Sequence, residues 1–165
     1  MTTIRGTPQP FLPLNDRTND RLTPAPFAGL QIASSGLSAQ RLRMEVATAN
    51  LANAETTRTA EGGPYQRRVV TMEPTVSTAP SRITEGETVA VSGGVRVTGI
   101  AVDARPGDKV YSPGHADADA DGMVTYPNVN PTEELVTIME ARRLYEANAT
   151  AFNATKQMLR RAIDI

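Results

Sequence analysis

The sequence has no cysteine and no tryptophan, and its aromatic residues are limited to three phenylalanines and four tyrosines. The absence of cysteine excludes disulfide bonds and thiolate metal sites, although it does not identify a compartment. Only 39% of the residues are hydrophobic, so a buried core has to be built from Leu, Val, Ile, Met and many alanines. One or two small domains fit this length.

Long apolar runs and a strong charge imbalance are also missing. No stretch approaches the roughly 18 apolar residues of a membrane span, and the amino terminus lacks the continuous apolar region of a cleaved signal peptide. The formal net charge is -1, and the paired arginines at 67–68, 142–143 and 160–161 are separated by long neutral stretches. We therefore expect no nucleic-acid binding and no direct membrane insertion.

The last part of the chain, 130–165, predicts one long amphipathic helix. Asn130 can cap its free amides, Pro131 suits the first helical position, and Glu133 follows three residues after the cap. A heptad seam with two charged interruptions runs through Leu135, Ile138, Arg142, Tyr145, Ala149, Phe152, Lys156, Leu159 and Ile163. A second row lies beside it, at Leu144, Ala151, Met158 and Ile165, joined by Asn148, Thr155 and Ala162. The predicted face is therefore wider than one partner helix needs.

A second helix is predicted over 27–57. Its large apolar residues are spaced by seven, at Leu30, Leu37, Met44 and Leu51, with Ala33, Gln40 and Ala47 as companions. Gly36 lowers helix propensity by about 1 kcal/mol relative to alanine, yet small residues let a partner backbone approach closely. We expect this helix to be marginal alone and ordered by contact.

The helical period disappears over 58–129, which predicts a small antiparallel β domain with Gly and Pro turns. A segment rich in Ser, Thr, Pro and Glu, 75–91, predicts a mobile loop within it. The strand patterns fall at 65–72, 94–103, 109–111 and 123–126.

Residues 1–26 contain five prolines and predict a disordered arm. The expected fold class is α+β, with the two terminal helices paired antiparallel as a coiled coil and the β domain inserted between them. Four asparagines on the helices, Asn50, Asn53, Asn148 and Asn153, are expected to fix the register of this pairing.

Three alternating carboxylates imitate the start of a calcium-binding loop, at Asp117, Asp119 and Asp121, followed by Gly122. The twelfth position of such a loop should be glutamate, whereas Asn128 stands there. An acidic turn between two strands is therefore the preferred interpretation. The single histidine, His115, lacks a nucleophile or phosphate motif nearby and is expected to be structural, so we predict no catalytic residue, no metal and no cofactor.

Several stretches resemble bacterial flagellar axial proteins. Residues 34–57 read SSGLSAQRLRMEVATANLANAETT, like the amino-terminal signature of that group. The stretches EGGPYQRRVV, VYSPGHADADADGMVTYPNVNPTEELV and ARRLYEANATAFNATKQMLRRAIDI resemble the FlgC family of basal-body rod proteins. The proline-rich arm is an extension that the resemblance does not cover.

The resemblance implies a structural subunit of the proximal rod, exported by the flagellar type III apparatus without a cleaved signal peptide and assembled in the periplasm to transmit torque. Family members build an inner tube from the paired terminal helices and carry a small β domain outside it. Partners would be other copies of the chain, other rod proteins and the export apparatus. Expected assembly contacts are Leu37, Met44, Leu51, Leu135, Arg142, Tyr145, Phe152, Lys156 and Leu159.

The residues alone permit two other functions. The same heptads permit a soluble coiled-coil adaptor or secretion chaperone, which would form a finite complex, whereas a rod subunit would be found in basal bodies. An enzyme is the third possibility, and the sequence offers no assembled catalytic set for it.

Overall fold

A computed structural model describes residues 25–80 and 88–164. Two long helices enclose four strands along the chain, which places the protein in the expected α+β class. The elements are α1 (Ala25–Ala52), β1 (Arg68–Pro80), β2 (Thr88–Val102), β3 (Lys109–Tyr111), β4 (Met123–Thr125) and α2 (Pro131–Ile163). The strands form two separate two-stranded sheets, β1-β2 and β3-β4, where the sequence predicted one small sheet. The expected arm at 1–26 lies outside the described residues up to position 24.

The start of α2 follows the capping chemistry of its sequence. The Asn130 side chain accepts hydrogen bonds from the backbone amides of Thr132, at 3.0 Å, and Glu133, at 3.5 Å. Pro131 occupies the first turn, where a missing amide hydrogen costs nothing. Glu133 and Glu134 lie in the first turn, and two arginines lie in the last, so both ends complement the helix dipole.

Helix α1 begins two residues before the expected position 27 and ends before position 57. Pro26 is accommodated because the first amides of a helix have no partner within it. After Ala52 the chain tightens into a turn, where the Asn53 amide bonds to the carbonyl groups of Ala49 and Asn50 at 3.2 and 3.1 Å.

The hairpin of β1 and β2 is longer than the sequence predicted. It pairs from Arg68 with Val102 out to Pro80 with Thr88, so the expected mobile loop at 75–91 is wrong at both ends, and 81–87 lie outside the described residues. The pairing register shifts between Thr71 and Met72 and again between Thr75 and Val76. These bulges break the two-residue alternation, so the outer parts of both strands lack the sequence pattern that predicts their inner parts.

The hairpin lies along α1 and is attached to it at two places. At its base, the Asn50 side chain donates to the Arg68 carbonyl oxygen at 2.8 Å. Farther out, the Val95 amide donates to the Ser35 hydroxyl at 3.1 Å. Gly94 has φ +110° and packs so tightly on α1 that a Cβ there would overlap the Ser35 hydroxyl. Glycine is therefore required at this crossing for both space and conformation.

Small residues dominate the buried apolar set, as the composition predicted. The buried hydrophobic residues are Ala33, Ala39, Val46, Ala47, Tyr65, Val124, Val129 and Ala141. Within 25–80 and 88–164, neither helix carries an apolar stretch long enough to cross a membrane.

Candidate functional site

The two helices contact each other in opposite chain directions, every seven residues on α1 and about every seven on α2. A Cβ built on Gly29 would lie 3.3 Å from Thr155, and one built on Gly36 would lie 2.7 Å from the Asn148 amide. Farther along, Arg43 approaches Glu140 at 3.7 Å and Asn50 bonds Glu134 at 3.1 Å. The expected close approach at Gly36 is therefore observed.

On α2, half of the predicted seam is displaced by one residue. Ile138, Tyr145, Phe152 and Leu159 are partly or half covered as predicted, but the alternate positions are Glu134, Ala141, Asn148 and Thr155. Leu135, placed in the seam by the sequence, is 49% exposed, and Arg142 and Lys156 are exposed. Charged side chains are kept in water, while small and hydrogen-bonding residues fit the narrow gap beside the glycines of α1.

On α1, the companion positions Ala33 and Ala47 are buried as predicted, and only the row of large residues is offset by one, with Asn50 buried beside Leu51. Leu37, Met44 and Leu51 are half-buried, whereas Ala33, Ala47 and Asn50 are buried. The large side chains therefore flank the contact and small ones fill its centre.

Arg142, one of the two charges expected in the seam, has its partner on its own helix. Its Nε lies 3.0 Å from the Glu146 carboxylate, and both side chains are largely exposed. Such a pair contributes only about 0.3–0.5 kcal/mol. The contact with Glu146 does not test the expected role of Arg142 in assembly, which stays a prediction.

A hydrogen-bond network, here called the polar junction, is centred on the buried side chains of Asn50 and Glu134 and joins α1, α2 and the base of the hairpin. It consists of Asn50, Tyr65, Arg67, Arg68 and Glu134. The Asn50 oxygen accepts from the Tyr65 hydroxyl at 2.9 Å and from the Arg68 amide at 3.0 Å. The Asn50 amide donates to the Arg68 carbonyl and to Glu134. Every hydrogen-bonding position of this side chain is used.

Glu134 is 1% exposed and is held by two partners. Arg67 Nε donates to one carboxylate oxygen at 2.6 Å, and Asn50 donates to the other at 3.1 Å. A buried carboxylate is stable only when it is paired and hydrogen-bonded in this way. Burial also raises the pKa of Tyr65, with a smaller opposing effect from Arg68, whose guanidinium lies 5.7 Å from the ring centre.

The junction continues toward the segment before α2. The Asn128 oxygen accepts from the Arg67 amide at 2.9 Å, and its amide donates to the Asp103 carbonyl at 3.1 Å. The Asp103 carboxylate accepts from Arg105 Nη2 at 2.6 Å and from Nε at 3.0 Å. These bonds lower the pKa of Asp103 to about 2. Asn50 matched the register expectation, but its partners across the hairpin were not foreseen.

The acidic stretch forms a turn between β3 and β4, which confirms the preferred interpretation. Asp117 accepts from Thr57 at 2.8 Å and lies 3.5 Å from Arg58. Asp119 instead accepts from the backbone amides of Asp121 and Met123, at 3.0 and 2.8 Å. The carboxylates therefore serve different partners, and no three acidic or histidine side chains of the described residues converge on a metal site. His115 Nδ1 accepts from the Asp117 amide at 3.1 Å, a structural contact.

The second apolar row of α2, here called the outer row, remains exposed. It comprises Leu144, Ala151 and Met158. Leu144 is 45% and Met158 is 63% exposed. The neighbouring Ala147 and Ala154 are also exposed. Helix α1 therefore covers only part of the wide apolar face that the sequence predicted.

Two family models match the chain. Residues 30–58 match the model described as "Flagella basal body rod protein". Residues 120–165 match the model described as "Flagellar basal body rod FlgEFG protein C-terminal". The matched segments are α1 with the turn after it, and α2 with the segment that leads into it.

Similarity to individual proteins extends over most of the chain. The flagellar basal-body rod protein FlgC of Borreliella burgdorferi is 40% identical over 150 residues, covering 84% of this chain and 96% of the relative. The protein of the same name from Bacillus subtilis is 39% identical, covering 84% and 97%. That of Aquifex aeolicus is 36% identical, covering 84% and 95%.

Proposed function

The chain belongs to the FlgC family of flagellar basal-body rod proteins, and from this premise we propose that its helix pair is the part that polymerises. As a family member it is a structural subunit of the bacterial flagellar basal-body rod. This membership favours the rod subunit over the coiled-coil adaptor that the heptads alone would permit. A role without catalysis and without a cofactor goes with such a subunit and stays a prediction.

The exposed outer row carries the proposal. A large apolar side chain contributes about 1.5–3 kcal/mol when it is fully buried, and Leu144 and Met158 realise little of this in one copy because they are about half exposed or more. Small alanines between them let another helix approach closely. We assign this row to the contact with a neighbouring subunit.

The proposed arrangement is an antiparallel coiled coil of α1 and α2 in the wall of the rod, with the β hairpin on its outer side. The seven-residue step of the helix contacts supports the coiled coil. Contacts from the outer row to a different surface of the next subunit are heterologous, and they build an open helical filament. The expected contact residues on the flanks, such as Leu37 and Phe152, remain part of this proposal.

We also propose that the subunit reaches the periplasm through the flagellar export apparatus and takes its place in the proximal rod, where it transmits torque. The helix contact supports assembly as the step that orders the chain. It is made largely of small side chains, so a single copy gains little free energy from pairing its helices, and full order is expected on assembly.

The test replaces Met158 with aspartate. A charge in a dry contact between subunits is costly, so Met158→Asp should reduce incorporation into purified basal bodies and abolish swimming while secretion of the chain continues. Gln157→Asp is the matched control, because the neighbouring glutamine is exposed and lies outside the outer row. Motile cells carrying Met158→Asp would contradict the assigned contact.

A further inference from the structure

A cleft of about 230 Å³, here called the arginine cleft, opens where α1, the start of β1 and α2 meet. Arg43, Arg67 and Arg68 contribute to its walls, and Val46, Met72 and Thr137 line the rest of its surface. Ligand pockets for small molecules are typically larger, roughly 300–1,000 Å³. The size therefore suits one or two side chains of another protein better than a cofactor.

The cleft has more positive than negative charge. Glu134 is the one carboxylate among its lining residues, against three guanidinium groups, and both of its oxygens are already bonded, to Arg67 and Asn50. Arg68 lies over the Tyr65 ring and makes no ion pair with any described carboxylate. Arg43 reaches Glu140 only at 3.7 Å. The guanidinium groups of Arg68 and Arg43, which are unpaired or only weakly paired among the described residues, favour an incoming carboxylate.

The acidic turn between β3 and β4 presents such carboxylates. Asp119 and Asp121 are exposed, and the bonds from the Asp121 and Met123 amides to Asp119 fix the shape of the turn. Asp121 makes no side-chain hydrogen bond within the described residues. Asp117 ties the turn to Thr57 and Arg58 of the same chain. The Asp121 carboxylate and the Oδ2 atom of Asp119 are left for an outside partner, because both turn bonds go to Asp119 Oδ1.

We propose that the acidic turn of one copy inserts Asp119 and Asp121 into the arginine cleft of a second copy. The inference rests on the proposed function, and it names a second contact between neighbouring subunits, separate from that of the outer row. Both features lie near the same end of the helix pair, since the turn is held at residues 57–58 and the cleft is lined by Asn50. The contact therefore joins copies side by side at nearly one level of the rod. The turn and the cleft are different surfaces, so the contact is heterologous and continues from copy to copy instead of closing into a dimer.

Because the chain has no cysteine of its own, disulfide trapping tests this contact cleanly. Arg68→Cys and Ala120→Cys are combined in the full chain, which leaves both turn carboxylates in place and keeps the backbone bonds of Arg68 to Asn50. Basal bodies are purified, oxidised mildly and analysed by non-reducing immunoblot. The expected result is a ladder of crosslinked copies, at least about tenfold more intense than with either single variant.

Arg143→Cys combined with Ala120→Cys is the matched control, since Arg143 is an exposed arginine on α2 outside the cleft. Basal bodies that contain the Arg68–Ala120 variant but show no more crosslinking than this control would overturn the contact. That result differs from failure of the proposed function, in which the unmodified chain itself would be missing from purified basal bodies.

Charge exchange provides a second measurement if the cysteine variant assembles poorly. Arg68→Glu and Asp121→Arg should each reduce incorporation into basal bodies at least about threefold, and the two together should restore it, because the pair is re-formed with reversed signs. A double variant that incorporates no better than the weaker single variant overturns the proposal.

Discussion

The Asn50 amide donates to the Glu134 carboxylate at 3.1 Å and so joins the end of α1 to the beginning of α2. The same side chain also holds the first residue of β1 through its backbone and accepts from Tyr65. One residue therefore sets the relative position of three elements.

Asn50→Leu should lower the free energy of unfolding by about 3 kcal/mol, because it leaves Tyr65 and the Arg68 backbone with buried unsatisfied groups and removes one partner of Glu134. Denaturant unfolding followed by circular dichroism measures this loss. Asn53→Leu is the control, since the Asn53 side chain makes only local bonds: it donates to the Ala49 carbonyl at the end of α1 and accepts from Thr56. Equal losses in the two variants would refute the special position of Asn50.

Gly36→Val should destabilise the helix contact by about 1–3 kcal/mol, because the new side chain would overlap the Asn148 amide, which lies 2.7 Å from the position of a Cβ. Ala49→Val, on an exposed face of the same helix, controls for the helix propensity of valine. Adding Asn148→Ala should recover much of the loss. A double-mutant cycle without coupling between the two positions would show that the helices do not meet there.

The Asp103–Arg105 pair predicts a specific dependence of stability on pH. The bonds from Arg105 hold the pKa of Asp103 at about 2, below its ordinary value of 3.8. A carboxylate with a lowered pKa in the folded state stabilises above its unfolded pKa, and this contribution is lost as the pH falls from about 4 to about 2.

Arg105→Gln should therefore raise the pKa of Asp103 toward 3.8, measured by NMR titration of the carboxyl carbon. The stability difference between this variant and the unmodified chain should vanish at the acid end of that window. Arg41→Gln breaks an exposed pair with Glu45 on the same helix instead, and it should leave the Asp103 titration unchanged. An unchanged Asp103 titration in Arg105→Gln would disprove the pairing in solution.

Amide hydrogen exchange of the dilute chain should be slowest near the polar junction and faster toward the far ends of both helices. The fully buried residues of α2 are Glu134 and Ala141, both in its first third, while the contact of Gly29 with Thr155 buries little. Exchange followed by mass spectrometry of peptides resolves this gradient. Uniform protection along both helices would contradict ordering on assembly.

The sequence was sufficient for both helices because their signals are local. Asn130, Pro131 and the acidic first turn specify the start of α2 without any tertiary information. The class and the acidic turn followed from similar short-range patterns, and the opposite direction of the two helices followed from the order of elements, because the chain leaves one helix for the strands and returns in the other. Close approach at Gly36 was likewise visible, because a glycine among serines in a heptad face has few other uses.

The register of the helices was harder to predict. Apolar periodicity favoured Leu135, Arg142 and Lys156 as seam positions, whereas the structure turns α2 so that Glu134 and Ala141 face inward. That rotation depends on partners far apart in sequence, chiefly Asn50 and Arg67, which satisfy the buried carboxylate. Long-range hydrogen bonds leave no periodic pattern in the sequence. Apolar periodicity alone therefore predicted seam positions that are one residue away from the buried ones.

The contrast between the two ends of the helix pair has a mechanical consequence. Hydrogen bonds resist changes of direction, so the Asn50–Glu134 end behaves as a clamp that fixes the hairpin to both helices. Beyond it, Gly36 and Asn148 are in close steric contact, and we expect such contacts to resist approach while permitting small axial slip and twist. A subunit in a rotating shaft would thus yield along its small-residue contact while keeping its outer hairpin at a constant angle, and its elasticity would be concentrated in the half of the molecule farthest from Glu134.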